Sequence, residues 1–348
     1  MALLNPWASP QRTHGGPGPQ GPARFDFSTT ANACGPCPLV LAALGEADRR
    51  HYPDPAYTAL KSQLAAFHGV DPGRVVLAAS ASEFIFRLTA VTGFTAPGPV
   101  AVPVHAFGDY ATAARGFGRP VLRHSDAGAD AATLVWHADP DSPLGQAVPL
   151  PAVHANAVTV LDRACEPLRL SGHSAWGPAL NQVFQLWSPN KALGLTGVRA
   201  AYAIAPDSAP GGAWVQHLEA ACPSWPLGAE GVALLQAWAS PAVQAWVATS
   251  RDTLRTWKTQ QTQALQALGW QVRPSVTNFN LLRPPVTGAG SIATDTTLAA
   301  VHRALATAGL AWRHTASFGL PGAWRVSVQA PPAQAAMLAA LAALGALA

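Results

Sequence analysis

The sequence predicts an α/β fold: a large domain built on a mainly parallel sheet covered by helices, then a smaller C-terminal α+β domain. Three observations predict it. Short apolar runs alternate with helix-patterned segments over most of the chain. Those runs lack a clean apolar–polar alternation, as strands covered on both faces do. Near residue 227 the pattern changes to long helical segments followed by a few strands and a closing helix.

The elements follow in chain order. Residues 1–24 are rich in Gly and Pro and read as a loosely ordered arm. "YTALKSQLAAFHG" has helical apolar spacing, "RVVLAAS" is a short apolar strand, and "SEFIFRLTAV" is a helix. "GPVAVPV" is a strand, "YATAARGFG" a helix and "RPVLRHS" a strand. "ATLVWHA", "NAVTVLD", "VFQLWS" and "VRAAYAIA" are four more strands. A helical stretch from about Ala229 to Leu268 breaks at Pro241. Then come the strand segment "WQVRPSVTNFNLLRP", a helix near 295–308, strands "LAWRHTAS" and "WRVSVQ", and an Ala/Leu helix. The expected organisation is an arm over 1–35, a large domain over 36–228 and a small domain over 229–348.

Composition narrows the function classes. Apolar residues make up 49% and charged residues 11% of the 348, so a sizeable core is expected and global disorder is not. The net charge of +4 is small, and no basic run interleaves with aromatics, which argues against nucleic acid. Four cysteines are too few for a disulfide scaffold, and Cys34-Gly-Pro-Cys37 lacks a second pair or a His doublet, so no metal is expected. No basic–apolar leader and no membrane-length apolar run is visible; the expectation is a cytoplasmic protein.

Only three lysines occur, and one sits in the apolar, glycine-punctuated stretch "QLWSPNKALGLTGVRAAYAI". Burial lowers the pKa of an amine, and an uncharged Lys is a nucleophile toward carbonyls, the chemistry of a Schiff base. Ser188 precedes Lys191 by three residues and Arg199 follows it by eight. A hydroxyl and a guanidinium flanking the amine make a phosphate clamp. Lys beside a phosphate site points to pyridoxal 5'-phosphate.

These residues resemble a known family. "SPNKALGLTGVRAAY" is similar to the lysine motif S-x-x-K-x-x-G-L-x-G-x-R-x-G-Y of class I/II aminotransferase-type, fold type I pyridoxal-phosphate enzymes. The resemblance runs nearly the whole chain, with its motifs in the family's order. It implies that "AASASEFIFRL" cradles the cofactor phosphate on the backbone N–H groups of Ala81 and Ser82, at a helix N-terminus. It implies that Phe107 of "HAFGDYATAA" stacks on the pyridine ring. Asp162 of "VTVLDRACEPL" would pair with the pyridine nitrogen and keep it protonated, which makes the ring an electron sink. "RRHYPDPAYTAL" resembles the R-Y-P-D-P block, whose tyrosine, here Tyr52, reaches the cofactor phosphate of a partner subunit. The resemblance therefore implies a homodimer with shared sites.

Two positions depart from the pattern. "HADPDSPLGQ" stands where the family has N-P-N-N-P-T-G, so Ser142 replaces the Asn that bonds the cofactor's phenolic oxygen. Cys165 stands where many members have a second partner, Tyr. A hydrogen bond to a charged group is worth about 1.5–3 kcal/mol, enough to slow an enzyme but not to abolish it.

The ends of the chain point to a substrate class. "HGG" at His14–Gly16 followed by "FDFSTTANACGPCP" resembles the opening of threonine-phosphate decarboxylases of cobalamin synthesis. Histidinol-phosphate aminotransferases share only its later part. The resemblance gives Asn32 a substrate-side position. "GLAWRHTASFGL" and "WRVSVQ" resemble the segments carrying Arg313 and Arg325. Arg325 would take the substrate carboxylate in a bidentate fork, and Arg313 with His14 its phosphate. Both reactions use this equipment on a small phosphorylated amino acid. They differ in which bond at Cα stands perpendicular to the ring, and in whether Lys191 moves a proton as general base. The opening segment ranks the decarboxylase first and the aminotransferase second. A dimer that binds cofactor without turnover is a third reading, motivated by Ser142 and Cys165.

Overall fold

The computed structural model describes residues 14–151, 156–285 and 295–345. It begins with β1 (Phe25–Asp26), α1 (Pro38–Gly45) and α2 (Thr58–His68). β2 (Val75–Ala78), α3 (Ala81–Thr95), β3 (Val100–Val102), α4 (Gly108–Gly116) and β4 (Val121–Arg123) follow. Next are β5 (Leu134–Ala138), β6 (Val158–Asp162), β7 (Phe184–Trp187) and β8 (Ala201–Ile204). Then come α5 (Ala209–Ala220), α6 (Ala229–Trp238) and α7 (Pro241–Ala267). The chain closes with β9 (Gln271–Arg273), β10 (Phe279–Arg283), α8 (Asp295–Thr307), β11 (Leu310–Ala311), β12 (Arg313–His314), β13 (Trp324–Ser327) and α9 (Pro331–Gly345).

Seven strands form one sheet in the order β2-β8-β7-β6-β5-β3-β4. The strands from β7 to β4 pair in parallel, while β8 runs antiparallel to both β2 and β7. The expected mainly parallel sheet is present, with this one reversal. The reversal decides the site: β2, β3, β4, β5, β6 and β7 all end at one edge, and β8 enters from that edge. Successive residues of β2 show why every strand is apolar. Val75 and Leu77 pack into one buried cluster with Leu64, Tyr202 and Trp238. Val76 and Ala78 pack into the other, with Phe84, Trp136 and Phe184.

The remaining strands form a four-stranded antiparallel sheet, β12-β13-β10-β9, and the parallel pair β1-β11. Trp270, Trp312 and Trp324 meet at ring separations of 5.4, 5.9 and 6.2 Å in the core behind the four-stranded sheet. Ser240 caps α7, accepting from the Val243 amide at 3.4 Å, and Pro241 opens the helix where no N–H is needed. Val243, Val247, Leu254 and Leu265 form its buried stripe.

Three parts of the fold differ from the sequence expectation. α1 is short and apolar on all sides, so it has no periodicity to read. α5 holds Pro210, Gly211 and Gly212, which argue against a helix locally. No strand is expected between residue 24 and α1, yet Phe25 and Asp26 pair with Leu310 and Ala311, a contact across nearly the whole chain.

Candidate active site

The edge where six strands end collects most of the sequence-predicted residues. α3 begins just after β2. Its N-cap Ser80 accepts from the Glu83 amide at 3.0 Å, and Glu83 in turn accepts from the Ala79 amide at 3.2 Å. This leaves the first-turn amides of Ala81 and Ser82 facing the strand edge with the helix dipole behind them. Phe107 is the N-cap residue of α4, just beyond β3, and stands half-buried. Ser142 follows β5, Asp162 ends β6, and Ser188 and Lys191 follow β7. Arg199 lies just before β8, exposed and with no partner among the described residues.

Asp162 is buried and is not in an ion pair among the described residues. Its Oδ2 accepts from the Tyr110 hydroxyl at 2.6 Å and its Oδ1 from the Ala164 amide at 2.8 Å. A buried carboxylate with no cation beside it is a place for one. Tyr110 was not singled out from the sequence. It lies three residues after Phe107, so the two share one face of the helix start, and their rings meet edge-on at 5.9 Å. Tyr110 stacks on Trp136 at 4.7 Å, and burial beside Asp162 pushes its hydroxyl well above the usual range. It therefore stays a donor.

The Lys191 turn is held from below by the chain before α1. The Asn32 amide donates to the Lys191 carbonyl at 2.8 Å, and the Cys37 amide to Leu193 at 2.9 Å. Asn32 Nδ2 donates to the Ala192 carbonyl at 3.0 Å, while its Oδ1 accepts from the Cys34 amide at 3.0 Å. The Asn32 side chain, expected on the substrate, is thus committed to the backbone of the lysine turn. Gly194 sits at φ +68°, and a Cβ there would come within 2.9 Å of the Gly35 Cα. Only glycine allows these two segments to lie so close. Ser188 Oγ is 3.0 Å from Asn190 Oδ1, so its proton is engaged and its lone pairs remain free.

Arg325 joins the two sheets. Its Nη1 donates to Ser142 Oγ and its Nη2 to the Ser28 carbonyl, each at 2.9 Å, while its buried Nε has no partner among the described residues. The guanidinium lies 5.6 Å from the Phe279 ring centre and 5.7 Å from that of Phe318. Burial pushes its pKa down to about 10. Arg313 is buried on the neighbouring strand, 5.0 Å from the same Phe318 ring, and donates to Ser317 Oγ at 2.7 Å. His14 is exposed, its ring 5.8 Å from Phe107. The His14–Gly16 segment is anchored by the Gly16 amide, which donates to Ser28 Oγ at 2.7 Å. Burial raises the Cys165 thiol, and the nearby Lys191 charge opposes that rise.

Tyr52 is the one predicted residue set apart. It is 77% exposed and stacks on Trp225 at 4.4 Å. The cysteines are all free, and among the described residues no group of His, Cys, Asp or Glu could hold a metal ion. Among those residues, too, no helix is long and apolar enough to cross a membrane.

The arrangement offers an amine, a buried carboxylate, free helix amides and two guanidiniums, one buried and one half-buried, around one strand edge. The chain is similar to known proteins. A histidinol-phosphate aminotransferase of Erythrobacter litoralis is 30% identical over 339 residues, covering 89% of this chain and 88% of that protein. Histidinol-phosphate aminotransferase from Sinorhizobium meliloti, solved in complex with pyridoxal-5'-phosphate, matches at TM-score 0.77 and 21% identity, over 94% of this chain and 93% of its own. L-threonine-O-3-phosphate decarboxylase from Porphyromonas gingivalis matches at TM-score 0.74 and 20% identity, over 92% and 99% of the two chains. The family model "Aminotransferase class I and II" covers residues 26–344. The chain belongs to the class I and II aminotransferases and is a fold type I, pyridoxal-phosphate-dependent enzyme.

Proposed function

We propose that the enzyme is an aminotransferase that exchanges an amino group between a phosphorylated amino alcohol of the histidinol phosphate type and 2-oxoglutarate. The observation that carries this is the relationship to histidinol-phosphate aminotransferases over nearly nine-tenths of both chains. The sequence alone ranked a threonine-phosphate decarboxylase first. The curated relatives reverse that order, because the decarboxylase likeness lies in the fold, at 20% identity. Intact Lys191 and Asp162 at one strand edge argue against a scaffold without turnover.

Bound cofactor supplies an aldehyde for amines and an electron sink for the bond broken at Cα. The chain's own residues do the rest. Lys191 would hold the cofactor, and its free amine would move the Cα proton as general base. Asp162, held by Tyr110, pairs with the pyridine nitrogen. Phe107 stacks on the ring. Ala81, Ser82, Ser188 and Arg199 hold the cofactor phosphate, joined by Tyr52 of a second copy in a homodimer. Ser142 keeps a proton to give to the phenolic oxygen while accepting from Arg325. Arg325 and Arg313 bind the anionic end of whichever substrate occupies the site. Asn32 acts through the lysine turn rather than on substrate. The division into arm, larger unit and smaller unit at residues 35 and 228 belongs to the same proposal.

The test supplies cofactor-loaded protein with histidinol phosphate and 2-oxoglutarate and measures glutamate. Glutamate formation that requires both substrates supports the reading. CO₂ release from L-threonine O-3-phosphate without an oxo acid would replace it with the decarboxylase, the reading favoured by the His14–Gly16 segment at the site.

A further inference from the structure

A cavity of about 380 Å³ opens between the segment Glu166–Ser174 and α7, outside the arrangement described above. Arg169, Arg251 and Arg255 line it, with Ser171 and His173. The three guanidiniums are not equivalent. Arg169 is neutralised by Asp139 at 2.9 Å and Glu166 at 2.8 Å, and Glu166 also pairs with Arg163 at 3.2 Å. Arg255 pairs with Asp252 and donates from Nε to the Leu170 carbonyl at 2.7 Å. Arg251 has no carboxylate partner among the described residues, and its Nε is buried without an acceptor. It lies one helical turn from Arg255, where like charges repel. Every carboxylate close by is thus already engaged, and one guanidinium is left over. The Ser171 and His173 side chains at the rim are exposed and have no partner among the described residues.

We propose that this cavity binds a phosphate-type oxyanion, with Arg251 and Arg255 as its main contacts and Ser171 and His173 at the rim. Arg251 offers a whole fork, and Arg255 offers the Nη2 that neither Asp252 nor Leu170 takes; a carboxylate fills the one fork, whereas a phosphate has further oxygens for the Arg255 Nη2 and a hydroxyl. The volume admits a phosphate monoester as well as free phosphate. The bound anion ties α7 to the segment that continues from Asp162 and Cys165. Whatever it does to the active site, cofactor and substrate do to it in return.

The test is calorimetric titration of the cofactor-loaded protein with inorganic phosphate, repeated with glycerol phosphate. Arg313→Gln serves as reference, because the candidate substrate site also attracts phosphate. The proposal expects one class of phosphate site to survive Arg313→Gln. It expects Arg251→Gln and Arg255→Gln each to weaken that class by roughly tenfold or more, the effect of one charged hydrogen bond. The absorbance of bound cofactor stays unchanged in both. Tighter binding of glycerol phosphate identifies a monoester ligand; equal binding identifies free phosphate. Unchanged affinity in the Arg251→Gln/Arg255→Gln double variant overturns the proposal. So does loss of all phosphate binding in Arg313→Gln alone.

Discussion

Arg313 and Arg325 are directly opposed across β12 and β13, a buried and a half-buried arginine sharing the ring of Phe318. Like charges opposite each other in an antiparallel pair are destabilising. Burial lowers the pKa of both, that of Arg325 to about 10. A base whose folded pKa lies below its unfolded value costs stability while charged, and the cost fades only as pH rises from about 10. At neutral pH the pair therefore favours an anionic ligand. Arg325→Gln should lower kcat/KM by roughly a hundredfold or more, the worth of a bidentate charged contact. It should also weaken the rise in Tm that 2-oxoglutarate gives the wild type. Equal kcat/KM in the variant would remove Arg325 from substrate binding.

The bond from Tyr110 to Asp162 yields a second prediction. Tyr110→Phe keeps the ring stacked on Trp136 and removes a donor to a buried carboxylate, at a cost of about 1.5–3 kcal/mol. Cofactor should dissociate faster, and activity at saturating cofactor should fall by roughly ten- to a hundredfold. Cofactor retention equal to wild type on gel filtration would contradict this role.

Gly194 governs the lysine turn. Gly194→Ala places a Cβ 2.9 Å from the Gly35 backbone at a left-handed φ of +68°. Such strain costs about 1–3 kcal/mol. Tm and activity should fall together, whereas Gly197→Ala, with open space around its Cβ, should lower neither through a clash.

Lys258 of α7 donates to the Ser275 carbonyl at 2.5 Å and the Thr277 carbonyl at 2.6 Å, and burial pushes its pKa down to about 8. The folded pKa lies below the unfolded one, so the buried charge costs stability below pH 8. Stability then rises with pH between about 8 and the ordinary lysine value near 10.4. Lys258→Met should flatten that rise in Tm. An unchanged slope would mean that Lys258 is not the group responsible. The segment it holds packs against Gly145, where a Cβ would meet Ser275 Oγ at 2.2 Å, in the loop that carries Ser142.

Tyr52 tests the shared site. If it completes the site of a second copy, Lys191→Ala and Tyr52→Ala chains, each impaired alone, should regain activity on mixing. The mixed dimer then has one site with both residues intact. Absence of any gain under conditions that exchange subunits would count against the shared site.

Much of this was legible in the sequence because it is local. The strand runs and the strand-end position of Asp162 depend on near neighbours. Lys191 stood out because lysine is rare here and this one sits among glycines. What escaped was long-range. That Asn32 serves the lysine turn depends on contacts across about 160 residues. The opposition of Arg313 and Arg325 depends on strand register, and Tyr110 gains its role only when α4 lies beside the end of β6. The reversed β8 was hidden for a different reason: an apolar run carries no sign of its direction.

The most direct measurement is borohydride reduction of the cofactor-loaded protein followed by peptide mapping. With three lysines in the chain, Lys61, Lys191 and Lys258, the outcome is decisive. The account predicts the pyridoxyl mass on the peptide containing Lys191 and no labelling in Lys191→Ala. Labelling of Lys61 or Lys258 instead, at the same stoichiometry, would contradict it.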